Sequence, residues 1–97
     1  MVVALKLILS TIPTNTTVWL VDNEKDITIT LKIGLEDGGF NVDAFNDPPL
    51  ALKSFKPNFY DLVLIDIVMP VIDGFDLYER LKKIDPDIKA YFLTANS

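Results

Sequence analysis

An α/β fold, with helices on both faces of a parallel, doubly wound sheet, is what this sequence predicts. Three observations lead to it. Short apolar runs rich in β-branched and aromatic residues recur along the chain, segments with helical spacing separate them, and the connections between the two kinds of segment are short. The implied order is βαβαβαβ, which calls for right-handed crossovers between parallel strands.

The first run, "VWLVD" at 18–22, is β-rich and ends in an acid, the pattern of a strand buried on both faces. Residues 23–39, "NEKDITITLKIGLEDGG", fit two patterns: Ile27, Ile29, Leu31 and Ile33 alternate as in a strand, while Ile27, Leu31 and Leu35 make a helical stripe. The segment's length and its closing Gly38-Gly39, suited to a helix C-terminus, favour the helix. "FNVDAF" (40–45) reads as the second strand. In "NDPPLALKSFK", Asp47 is placed as an N-cap with proline in the first turn, so a short helix runs to about Phe55 before Pro57-Asn58 breaks it. "YDLVLID" (60–66) is the most apolar strand. The loop "IVMPVID" then leads to a helix over 74–84, with Asp73 as N-cap, a stripe of Leu77, Leu81 and Ile84, and Glu79 spaced to pair with Lys83. "DPD" (85–87) stops it, and "IKAYFL" (88–93) is a fourth strand ending at Thr94. Trp19, Tyr60, Tyr78 and Tyr91 read as packing residues.

Composition narrows the function. At 97 residues the chain fits one small domain that hides only about 60 to 65% of its unfolded surface. Hydrophobic residues at 49% and charged residues at 24% describe a soluble globular protein. A net charge of -5, without a Lys/Arg cluster, offers no footprint for a nucleic-acid backbone, so no direct nucleic-acid partner is expected. With neither cysteine nor histidine, thiolate and imidazole metal sites and disulfides are excluded, and any metal must be a hard, oxygen-liganded cation. The opening 2–9 is apolar except for Lys6, but it has no basic flank or cleavage site and is too short to span a bilayer. A disordered or loosely packed extension over 1–17, no membrane partner and a cytoplasmic location are therefore expected.

In open parallel sheets, chemistry gathers at the carboxyl ends of the strands. Asp22, followed by Asn23 and Glu24, ends the first strand; Asp66 ends the third and Thr94 the fourth. Two acids converging in one crevice repel unless something neutralises them, and oxygen ligands of this kind suit Mg2+, which takes one or two protein carboxylates and keeps several waters. With its charge neutralised, one carboxylate can act as a nucleophile toward a phosphoryl group, and a hydroxyl such as that of Thr94 can hydrogen-bond a transferred oxygen.

At these residues the sequence becomes specific. "VWLVDNE", "DLVLIDIVMPVIDGFDLYERLK" and "YFLTA", in this order and spacing, resemble the receiver domain of two-component response regulators, from Val18 to about Ala95. The resemblance implies a flavodoxin-like sheet of strand order 2-1-3-4 over a domain at 18–97. It implies that Asp66 accepts a phosphoryl group from a sensor histidine kinase or a phosphotransfer protein, as a phosphoacceptor rather than an enzyme. Mg2+ would be held by Asp22, Asn23, Asp66 and the backbone carbonyl of Val68. Thr94 matches the hydroxyl that moves toward the acyl phosphate, Met69 and Pro70 shape the loop, and Gly74 lets the chain turn into its helix. Two departures stand out. Asn23 occupies the position of the second acid of the family's acidic pair, which weakens Mg2+ binding unless Glu24 compensates. The chain also stops at Ser97, before the family's fifth strand, its lysine and the flanking helices. A truncated receiver is therefore expected, with impaired turnover and output and an exposed fourth strand, an edge that pairing with another receiver chain, strand swapping or shielding by residues 2–9 would relieve, the sequence selecting none of the three. A pseudo-receiver that binds partners without carrying phosphate, or a fragment without function of its own, stay open as alternatives.

Overall fold

The computed structural model describes residues 10–93. These form strand β1 (Thr17–Val21), helix α1 (Lys25–Asp37), β2 (Asn41–Phe45), α2 (Pro48–Ser54), β3 (Leu62–Asp66), α3 (Gly74–Ile84) and β4 (Lys89–Leu93). The four strands make one parallel sheet in the order β2-β1-β3-β4. In its register Val21 lies opposite both Phe45 and Ile65. The residues that follow, Asp22 and Asp66, therefore emerge side by side at the carboxyl edge.

The sheet is covered on both faces, as the alternating pattern requires. On one face Trp19, Val21, Val63 and Ile65 pack with Ala51 of α2, Leu77 and Leu81 of α3, Phe55 and Tyr60. On the other, Val18, Leu20, Leu62 and Leu64 pack with Leu35 of α1, Phe40 and Val42. Trp19 lies edge-on to Phe55 at 5.4 Å, and the Tyr60 hydroxyl donates to Asp43 Oδ2 at 2.7 Å. Tyr78 stands edge-on to Phe92 at 5.6 Å, and Tyr91 is half-buried against the α1 face, so all four are packing residues as expected. Trp19 Nε1 is a fully buried donor without a hydrogen-bond partner among the described residues, an arrangement that costs about 1–3 kcal/mol.

The ambiguous segment is a helix, and its burial says why. Leu35 is buried and Leu31 half-buried on the inner side, while Ile29 and Ile33, which the alternating pattern needed inside, face solvent. Three finer expectations are corrected. Asp47 occupies the N-cap position of α2, but its side chain makes no capping bond. On α3 the inward stripe is Leu77, Leu81 and then Asp85, not Ile84, which is 44% exposed. Asp85 takes that inner place because Asn58 N–H donates to its Oδ2 at 3.0 Å, and a buried carboxylate with a donor is tolerated. The ion pair along α3 joins Asp76 to Arg80 at 3.3 Å rather than Glu79 to Lys83. Asp73 does cap α3, accepting from Asp76 N–H at 2.8 Å.

Residues 1–9 of the expected extension lie outside the described residues, whereas its later residues are tied to the domain. Ile12 packs on the α1-face core, Asn15 N–H donates to Gly39 carbonyl at 2.8 Å, and the buried Thr16 hydroxyl donates to Pro13 carbonyl at 2.6 Å. Among the described residues no helix is long and apolar enough to cross a membrane.

Candidate functional site

Each acid is delivered by a buried strand and then held by backbone. Asp22 follows four fully buried residues of β1. Its N–H donates to Phe45 carbonyl at 3.1 Å, its Oδ1 accepts from Glu24 N–H at 2.9 Å, and its carbonyl accepts from the Asn46 amide at 2.9 Å. Asp66 ends β3, a strand buried at all five positions, and its Oδ1 accepts from Val68 N–H at 3.2 Å. The next residue, Ile67, donates its N–H to Leu93 carbonyl at 3.1 Å and accepts from Gly74 N–H at 2.8 Å. The loop is thereby pinned to β4 on one side and to the start of α3 on the other.

Gly74 is required where it stands. A Cβ there would run into the Asp66 carbonyl oxygen and lie 2.8 Å from Ile67 Cα, distances no side chain tolerates. Between Asp66 and Gly74 the chain makes a three-residue turn closed by Ile72 N–H donating to Pro70 carbonyl at 2.8 Å, with Val71 at its centre at φ 72°. A β-branched residue with positive φ is strained. Met69 and Ile72 face the core and anchor the loop, whereas Val68 and Val71 point to solvent.

Both carboxylates are nearly excluded from water, at 3% exposure for Asp22 and 8% for Asp66. Burial pushes Asp22 up to about 6; the Glu24 N–H partly opposes this, and the adjacent negative Asp66, close enough to share a hydrogen bond, adds to it. The ion pairs among the described residues are Lys32–Glu36 and Asp76–Arg80, so neither carboxylate has a cationic partner there. The crevice thus concentrates negative charge that nothing described neutralises.

The residues brought together are Asp22, Asp66 and the exposed Asn23 and Glu24 that follow Asp22. Thr94 lies outside the described residues. No group of three or more Asp, Glu, His or Cys side chains converges among those described. That donor set, two carboxylates with an amide and backbone carbonyls nearby, fits a hard divalent cation that keeps much of its water, such as Mg2+. Two residues escaped the sequence reading. Asn46, directly after β2, donates to the Asp22 carbonyl and, at 2.6 Å, to Thr28 Oγ1. Thr28 sits inside the buried stripe of α1. Their signal was a hydroxyl at a core-facing helix position and an amide at the end of a strand adjacent to the acid-bearing one.

Comparison with known proteins bears on this geometry. A family model described as the response regulator receiver domain matches residues 18–97. Response regulator receiver protein CpdR of Brucella abortus is 36% identical over 75 residues, covering 77% of this chain and 62% of that protein. The non-phosphorylated HemR receiver domain of Leptospira biflexa superposes with a TM-score of 0.78 at 33% identity, covering 84% of this chain and 65% of its own. TrrA of Thermotoga maritima, a response regulator protein solved with Mg(2+)-BeF, gives a TM-score of 0.74 at 35% identity, covering 84% of this chain and 71% of that one. The same protein bound to the histidine kinase ThkA gives 0.76 at 36%, with the same coverages. The chain spans less than two thirds of the length of the first curated relatives it matches, 37% and 62%.

Proposed function

This chain belongs to the response regulator receiver domain family, and on that premise we propose that it serves two-component phosphorelay signalling, with Asp66 accepting a phosphoryl group from a sensor histidine kinase. The observation that carries the reading is the pairing of two nearly buried carboxylates, Asp22 and Asp66, at adjacent strand ends without a described cation beside them. The likeness to TrrA, solved with Mg(2+)-BeF and with the kinase ThkA, supports it.

In the transfer, an Asp66 carboxylate oxygen bonds to phosphorus as the P–N bond of the donor's phosphohistidine breaks, and the imidazole leaves. Asp22, Asn23, Asp66 and the Val68 carbonyl would hold Mg2+, which when bound supplies the positive charge that lets a phosphoryl oxygen approach two carboxylates. The chain's own residues do the rest. Val68 N–H orients the Asp66 carboxylate, Glu24 N–H orients that of Asp22, and the loop tied at Ile67 keeps the acceptor at the strand end. Thr94, following Leu93, is assigned the hydroxyl that bonds the transferred group. The receiver unit is assigned to 18–97 with 1–17 preceding it, as a phosphoacceptor rather than a turnover enzyme. Partners are a histidine kinase or a phosphotransfer protein, with a second receiver chain as a further one, and the location is cytoplasmic.

The test is intact-mass measurement of the purified chain with Mg2+ and a small phosphoryl donor. One added phosphoryl group in the parent, absent in Asp66→Asn and absent without Mg2+, is the expected result. A folded parent that never gains phosphate would reject Asp66 as acceptor and leave an interaction module.

A further inference from the structure

Thr28 is 5% exposed, on the inner stripe of α1 that also carries Leu31 and Leu35. Valine has the same shape, so a hydroxyl buried there is favourable only through the bonds it makes. It lies 3.1 Å from the Asp22 carbonyl and 3.1 Å from the Glu24 carbonyl. The Asn46 amide nitrogen sits 2.9 Å from the Asp22 carbonyl and 2.6 Å from Thr28 Oγ1. Asn46 can thus give one N–H to each, and the Thr28 hydroxyl gives its hydrogen to the carbonyls of the acid-bearing loop. Glu24, at the N-cap of α1, makes no side-chain capping bond. The entry into the helix is therefore held from elsewhere.

We infer that Thr28 and Asn46 form a clamp, tying the ends of β1 and β2 to the first turn of α1, that positions Asp22–Asn23–Glu24 for cation binding. This rests on the proposed function, in which Asp22 and Asn23 hold Mg2+. Neither residue is assigned to the ion itself; both are positioning residues acting through the Asp22 backbone. With the Asp22 carbonyl taking two donors and the Asp22 N–H bonded to the Phe45 carbonyl, the peptide groups on both sides of Asp22 Cα are held, and with them the direction in which its side chain leaves the backbone. Residues behind metal ligands act in this way, and their loss costs affinity without removing a ligand.

Isothermal titration with Mg2+ on the full chain, beside urea unfolding of each variant, tests the clamp. Thr28→Val and Asn46→Ala are expected to raise the Mg2+ Kd about tenfold, Thr28→Ser to stay within about twofold because it keeps the hydroxyl, and the double variant to lose no more than the larger single loss, as members of one network do. Unchanged Kd in folded Thr28→Val and Asn46→Ala, even with a lower urea midpoint, would make the network merely structural and overturn the inference. Should Thr28→Val not fold, Asn46→Ala, at an exposed position, decides alone. A parent that binds no Mg2+ removes the underlying reading and the clamp with it, whereas a binding parent with indifferent variants removes only the clamp.

Discussion

Asp22 is an acid placed where an acid is unfavourable, and its titration carries that cost into a measurable pH dependence. Unfolded it titrates near 3.8, and folded it is pushed up to about 6. Between those values the folded state keeps a proton that the unfolded chain has released, so this group's contribution to stability falls as pH rises through that window and its full penalty applies above about 6. In Mg2+-free buffer, Asp22→Asn should raise the urea midpoint at neutral pH and flatten the pH dependence between about 4 and 6. A midpoint unchanged at neutral pH would show that the carboxylate costs nothing there. Two loop residues carry opposite expectations. Gly74→Ala forces a Cβ against the Asp66 carbonyl and should destabilise by about 1–3 kcal/mol. Val71→Gly relieves a positive φ at an exposed position and should stabilise by about 1 kcal/mol. Urea unfolding reads both.

At the scale of elements, helix α3 separates residues that sequence spacing treats alike. Leu81 is fully buried, so Leu81→Ala should cost about 2–5 kcal/mol. Ile84, same stripe by spacing but 44% exposed, should cost less than about 1 kcal/mol when cut to alanine. Equal losses in thermal or urea unfolding would contradict the placement of Asp85 in the inner position. The pattern of α1 teaches the same lesson from the other side. Its periodicity supported a strand and a helix, because isoleucines stand at both spacings. Packing selected the helix by burying Leu35 and leaving Ile29 and Ile33 outside.

For the whole molecule, the proposed Mg2+ site would link ligand binding to folding through the crevice at the carboxyl edge. If the two carboxylates hold Mg2+ only when folded, a hundredfold excess over Kd should stabilise the chain by about 2.7 kcal/mol. The urea midpoint should rise accordingly in the parent and not in Asp22→Ala; a rise of equal size in both would assign the effect to ions elsewhere on this acidic chain.

The sequence by itself determined the order of elements, the parallel sheet and the two acids at its carboxyl edge. Those depend on local spacing: an apolar run that ends in a carboxylate must surface at the strand end, and a strand–helix alternation with short connections has few other ways to pack. The motif after β3 was legible for the same reason, since Asp73 caps its own helical turn and Gly74 meets Asp66 and Ile67 only one loop back along the chain. Only the tertiary structure decided what Asp22 feels and what holds it. Burial and the neighbouring Asp66 shift its titration, and Asn46 and Thr28, distant along the chain from Asp22 or hidden in an apolar stripe, close on its carbonyl. The parallel register of β1, β2 and β3 brings these groups together, and no spacing along one strand reports a neighbour in the next.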